Sequence, residues 1–310
     1  MHNRSSILSA PVLMLAMMFC LSASIRAQDI GKEGDTLHTG RFAAVVATES
    51  VIAAGSFVGL SELWYKDYPR SSFHFFDDNN EWLQTDKVAH SFTSYQLGRL
   101  GYSTLRWTGL NEKKSAWYGG TMGSAYLLVI EILDGFSKEW GFSWGDFLAN
   151  SLGTSLFMGQ QLGWHEQRIF LKYSYHPSKY AEYRPDLLGS GPLQRLIKDY
   201  NGITFWLSTS PGAYLKPETK FPKWIAFSVG YSAEGMLGGR VNPDEYNGSP
   251  LPDFDRNRRF FLSADIDFTR IPTRSKVLRT VFSVLNTIKV PFPALEINSK
   301  GKVKGHYFYF

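Results

Sequence analysis

Residues 260–269 read Phe-Phe-Leu-Ser-Ala-Asp-Ile-Asp-Phe-Thr, so that Phe260, Leu262, Ala264, Ile266 and Phe268 alternate with Phe261, Ser263, Asp265, Asp267 and Thr269. Successive side chains of an extended chain point to opposite faces, and a period of two with one apolar and one mostly polar face is the pattern of a β-strand. Residues 203–208 and 224–232 read the same way, and the turn-rich run Asn242-Pro243-Asp244-Glu245-Tyr246-Asn247-Gly248-Ser249-Pro250 connects the second strand to the third. Residues 275–289 return to helical spacing, with Val277, Leu278, Val281, Phe282, Leu285 and Ile288 on one side, until Pro291 and Pro293 stop the helix.

Between residues 43 and 167 the spacing is helical in four stretches, with an aromatic and acidic connection over 66–85. Residues 43–65 are rich in Ala and Val and almost long enough to span a bilayer, but their Gly, Ser, Thr and Glu content suits a bundle helix, which is the expectation. Helices are also expected over 86–106, 115–134 and 145–167, the last opened by Ser143-Trp144-Gly145-Asp146, a Ser-x-x-acid cap. The expected fold is therefore α+β: an N-terminal bundle of about four helices, then a small antiparallel sheet region with one amphipathic helix. A small sheet packed on the helices is the favoured expectation over a membrane barrel, which the aromatic terminus His306-Tyr307-Phe308-Tyr309-Phe310 suggests but too few strand candidates support, and the helix over 275–289 is expected to lay its apolar side on the sheet rather than on a membrane surface.

Arg4, the apolar run from Ile7 to Leu21 and the small residues before Ala27 form a secretory signal pattern, with cleavage expected between Ala27 and Gln28. Residues 28–41 are a polar leader, 42–170 the bundle, 171–198 a linker and 199–310 the sheet-containing region. The sole cysteine, Cys20, excludes a disulfide scaffold and Cys-based metal patterns. Met17, Met18 and Phe19 before it are bulkier than lipoprotein processing usually takes, which puts a lipid anchor in doubt. The expected location is the periplasmic side of a bacterial envelope, associated with the outer membrane. The 310 residues carry a formal charge of +5, and loss of Arg4 and Arg26 leaves 31 basic against 28 acidic residues, or +3, without basic runs. Nucleic acid is accordingly not an expected partner, and Gly189-Ser190-Gly191, lacking a strand-Gly-helix setting, gives no nucleotide loop. Membrane lipid or other envelope proteins are the expected partners.

Polar residues within apolar helices are the candidates for chemistry. Asp86 and His90 lie four residues apart, about 40° around a helix axis. Glu131 and Asp134 share one side of an apolar helix, and Asp146 and Asn150 repeat the four-residue spacing. Burying carboxylates is costly unless they are paired, so these six are expected to converge on one polar centre. His with carboxylates suits general acid-base work or a metal, but identifies no cofactor. The acidic run from Asp77 to Glu81 lacks the spacing and central Gly of an EF-hand and is read as a solvated turn. His165 and His176, among tyrosines, are read as surface or packing residues.

Asp-Lys-x-x-His at Asp86–His90, Glu131-x-x-Asp134-Gly135 and the run from Ser143 to Gly153 together resemble the bacterial family called domain of unknown function 2279, the YfiM-like predicted periplasmic lipoproteins. The order of motifs is also similar, more distantly, to VanZ-like membrane proteins. The resemblance covers about residues 86–163 and implies no reaction. Two readings of the polar centre stay open. In one it is an active site for a hydrolase or transferase acting on a lipid or glycan head group; in the other, the favoured one, the carboxylates cap and bridge helices.

Overall fold

The structure, a computed structural model, describes residues 36–61, 69–216 and 218–310. The expected signal peptide, Cys20 and most of the polar leader lie outside the described residues. The helical region is N-terminal and the antiparallel sheet C-terminal, so the chain is α+β as its periodicity requires. Among the described residues, one compact unit takes in those up to Asn79 together with Thr93–His165, and the other Asn80–Phe92 with those from Glu166 to Phe310.

The helical unit contains α1 (Thr39–Leu60), most of α2 (Thr85–Trp107), α3 (Glu112–Gly120), α4 (Met122–Asp134) and α5 (Trp144–Trp164). The expected single helix over 115–134 is two: Thr121 separates α3 from α4, its side chain bonded to the Trp117 carbonyl at 2.7 Å. The helices approach closely where side chains are absent. A Cβ on Gly119 would stand 2.3 Å from the Gly101 backbone of α2, and one on Gly123 2.3 Å from the Ser94 carbonyl. Helix α1 touches the unit through Ser56, which accepts the Tyr126 hydroxyl at 2.9 Å, and through Glu49, which accepts the Thr104 hydroxyl at 2.8 Å. Burial raises the Glu49 carboxyl above its ordinary value, and the Thr104 bond only partly offsets this. The expectation of a packed bundle helix needs correction here, because most α1 side chains are not buried. Thr39–Gly59 is long and apolar enough to cross a membrane, with a mean hydropathy of 1.6.

The second unit is built on a six-stranded antiparallel sheet in the order β1-β2-β3-β6-β7-β8, comprising β1 (Ile169–Tyr175), β2 (Ile203–Thr209), β3 (Ile225–Glu234), β6 (Asn257–Ile266), β7 (Phe292–Asn298) and β8 (Val303–Tyr309). A two-residue hairpin, β4 (Glu245–Tyr246) with β5 (Ser249–Pro250), fills the turn-rich connector. Strand β1 lies where the bundle end and linker were expected, and short helices α6 (Pro185–Leu188) and α7 (Pro192–Lys198) lie in the second half of 171–198. The strand was missed because Phe170, Lys172 and Ser174 place a charged residue in the middle of its buried face.

The sheet is inverted relative to a soluble one. Register carries Lys172, Trp206, Gly230 and Phe261 across four strands on one face, flanked by the rows Ser174, Thr204, Ser232 and Phe170, Ser208, Ser228, Ser263. This largely polar face is the buried one. Leu171, Leu207, Val229, Leu262 and Leu295 follow one another across the opposite face. Near β1 and β2 that apolar face is covered, where Phe92, Val88 and Ala89 of α2 pack on Ile203, Phe205 and Tyr173. Beyond them it is exposed, which corrects the expectation of a sheet packed on helices.

The sheet curls around its polar face. Tyr309 of β8 bonds the Thr204 hydroxyl of β2 at 3.1 Å, and its ring lies 6.0 Å from that of Trp206. Strands four places apart in a flat sheet would be separated by roughly 19 Å. Inside the curl, Asp265 accepts bonds from Ser208 (2.7 Å) and Ser228 (2.9 Å) and pairs with Lys172 at 2.9 Å. Lys289 stands 3.9 Å from the other carboxylate oxygen and gives its protons to the Ala264 and Val290 carbonyls at 2.7 and 2.6 Å. Burial works to raise the Asp265 carboxyl, but the two lysine charges outweigh it and hold it below its ordinary value. Burial pushes Lys289 down to about 8, against the opposing pull of Asp265. Helix α8 (Lys276–Leu285), capped by Ser275 through a 3.3 Å bond from the Leu278 amide, keeps its apolar side exposed, contrary to expectation.

Candidate functional site

The helical start of the motif region depends on an unusual turn. Trp82, Leu83 and Gln84 all have left-handed φ, of 48°, 49° and 62°, a conformation that costs non-glycine residues energy unless contacts hold it. Here the holding contacts come from β3, β6 and the connector that follows β3. The Trp82 amide donates to the Gly239 carbonyl at 2.8 Å, the Tyr231 hydroxyl donates to the Leu83 carbonyl, and Arg258 donates to the Gln84 side chain at 2.5 Å. The turn sets the origin of α2, whose first turn carries Asp86 where the helix dipole favours an anion.

Asp86 uses both carboxylate oxygens. Oδ1 accepts the Tyr200 hydroxyl at 2.7 Å, and Oδ2 lies 3.5 Å from Lys87 Nζ and 4.0 Å from His90 Nε2. Tyr200 is thus a partner that no motif announced, since it is 114 residues away in sequence and carries no spacing signal. Asp86 and His90 do share a face one helical turn apart, as their spacing requires.

In the helical unit, Ser143 is the hub. Its Oγ accepts the Asp146 amide at 3.1 Å, capping α5, and donates to Asp78 at 2.6 Å; its own amide donates to Glu131 Oε2 at 3.3 Å. Glu131 is only 2% exposed and Asp146 4%. Of the run Asp77–Glu81, expected to be a solvated turn, Asp77, Asn79 and Asn80 are exposed, with the Asn79 amide bonded to Asp77 at 3.0 Å, whereas Asp78 serves this cap and Glu81 opens a 3-10 turn. Asn150 is buried, and its backbone carbonyl receives the hydroxyls of Ser94 (2.8 Å) and Ser124 (3.0 Å), tying α2 and α4 to α5. Asp134 ends α4 half-buried, its carbonyl taking the Ser137 amide at 2.9 Å. Ser143→Ala should therefore cost about 1 kcal/mol or somewhat more, since it loses a cap and strands a carboxylate partner. Thermal melting against the wild type checks this.

His165 caps the end of α5 in a left-handed conformation and meets Glu112 at 3.2 Å, an exposed structural position. The Asp86 carboxylate and the His90 imidazole, one turn apart on α2, are oxygen and nitrogen donors of the kind that zinc, manganese or iron take.

No curated protein and no solved structure matches the chain. A family model does match, and its residues bracket Asp86, His90, Glu131, Asp134, Asp146 and Asn150. The likeness to VanZ-like proteins is not borne out, and the family's description fits an exported, periplasmic envelope protein. Residues 74–158 of this chain match the model of the DUF2279 family, which is described as a predicted periplasmic lipoprotein.

Proposed function

We propose that the chain is a membrane-associated structural or accessory component of the cell envelope, associated with the outer membrane and without catalysis of its own. In this reading Asp86, His90, Glu131, Asp134, Asp146 and Asn150 fasten the backbone rather than act on a substrate. The observation that carries it is the Ser143 hub: the most deeply buried motif carboxylate, Glu131, receives the Ser143 amide, while Ser143 caps the helix that bears Asp146 and Asn150. A carboxylate that accepts a backbone amide at a helix start has a structural use for its burial, as an acceptor for a group that would otherwise lack one.

A second reading is an enzyme acting on a lipid or glycan head group, favoured by Asp86 and His90, whose carboxylate and imidazole lie 4.0 Å apart on one face of α2. His90→Ala separates the two. On the structural reading it lowers stability by about 1–3 kcal/mol in thermal or urea unfolding, and elemental analysis of the purified protein finds no stoichiometric metal. A variant of unchanged stability that fails to complement a deletion strain, or one tightly held metal per chain lost on the substitution, overturns it in favour of an active site.

A further inference from the structure

We infer that the curled sheet seats its apolar outer face in the acyl region of a lipid bilayer. The inference deepens the membrane-associated reading above by naming the surface responsible. A soluble sheet hides its apolar face and wets its polar one; here the assignment is reversed over most of the sheet. Phe227, Val229, Phe260, Leu262, Leu295 and Ile297 are all between 44% and 54% exposed, whereas Lys172, Lys289 and Asp265 on the inner face are at most 1% exposed. Taking charges out of water while leaving aliphatic side chains in it raises the free energy on both counts, so water is the wrong medium for this exterior. Apolar outside and polar inside, alternating residue by residue, is the pattern that strands adopt against lipid.

Charge on the same stretch of chain selects lipid over a protein partner. From Phe268 to Phe310 there are eight Lys and Arg residues against one acid, Glu296, which is turned inward onto His306 at 2.7 Å; Lys289 is buried in the curl and Arg270 and Lys300 pair with acids elsewhere, which leaves Arg274, Lys276, Arg279, Lys302 and Lys304 as the basic exterior of this segment. Anionic head groups attract such a segment. Helix α8 lies within it and exposes Val277, Leu278, Val281 and Leu285 along one side, with Lys276 and Arg279 beside them, the composition of a helix lying in a membrane interface. The exposed aromatic end, Tyr307, Phe308 and Phe310, matches the residues enriched at head-group depth. Six strands are fewer than the eight of the smallest closed outer-membrane barrels, so the seat is on one leaflet, not a complete span.

Depth-resolved fluorescence on the full chain tests this at the sheet itself, independently of any attachment through α1. In a Cys20→Ser background, bimane is placed on Leu262→Cys and, separately, on Glu245→Cys in the exposed hairpin. Vesicles of phosphatidylethanolamine and phosphatidylglycerol carry doxyl-labelled acyl chains. The label at 262 should be quenched by doxyl lipid about fivefold more than that at 245 and be shielded from aqueous iodide. Val229→Glu, at a neighbouring exposed position and with an unchanged melting temperature, should abolish the doxyl quenching at 262. Iodide access at 262 in the presence of vesicles overturns the proposal, as does doxyl quenching that survives Val229→Glu. Shielding at 262 that appears without lipid and grows with protein concentration makes the face a contact between copies and also overturns it. None of these readings depends on what His90→Ala does, so the seat and the non-catalytic role stand or fall separately.

Discussion

Asp265→Ala is expected to destabilise the protein by about 3–5 kcal/mol, the usual cost of removing one partner from a buried ion pair. Lys172 and Lys289 would keep their positions inside the curl with no counter-charge, and Ser208 and Ser228 would each lose their acceptor. The sign of the pH response follows from the direction of the shifts. Asp265 is held below its ordinary value in the folded state, so its contribution is present above about pH 4 and is lost as the pH falls through the folded value. Lys289, at about 8, is depressed relative to the unfolded chain. The cost of its charge is therefore fully present below pH 8 and is relieved as the pH rises from there towards the unfolded value of about 10. Without Asp265, which holds the Lys289 value up, this relief should begin below pH 8, so the gap between variant and wild type should narrow as the pH rises towards 8 and stay constant above it in urea titrations. A gap of under about 1 kcal/mol at neutral pH would mean that the three charges are not enclosed together. Converting all three, Lys172→Met with Asp265→Leu and Lys289→Met, is expected to restore most of the loss, because the price of desolvation disappears with the charges.

Trp206→Ala should cost a similar amount, about 3–5 kcal/mol, by a different mechanism. Trp206 is 1% exposed and fills the curl between Phe261 and Tyr309, with ring centroids at 5.7 and 6.0 Å. Its indole N–H donates to Ser174 at 2.8 Å, and Lys289 Nζ lies 5.1 Å from the ring centroid. Truncation leaves a cavity, an unpaired hydroxyl and a lysine without its aromatic neighbour. Leu262→Ala, one residue from Phe261 but on the other face, should change stability in lipid-free solution by no more than about 0.5 kcal/mol. Equal losses at Trp206 and Leu262 in denaturant titrations would contradict the inverted sheet.

The sequence by itself determined the fold class and most of the elements. The alternation at 260–269, the Ser143 cap and the four-residue spacing of Asp86 and His90 are local, and local geometry follows from one segment's own periodicity. Strand β1 was not legible, because Lys172 in mid-strand reads as a solvent residue until Asp265, 93 positions later, arrives beside it. Tyr200 as the partner of Asp86 and the left-handed turn at Trp82–Gln84 were hidden for the same reason, since each depends on residues from distant strands. The alternation at 260–269 also could not say which face is buried. Periodicity records only that two faces differ; the side turned inward is fixed by where the sheet curls and which charges meet there. That meeting of Lys172, Lys289 and Asp265, and with it the exposure of Val229 and Leu262, is a property of the tertiary structure, because the energy of a buried charge depends on neighbours that sequence order does not supply.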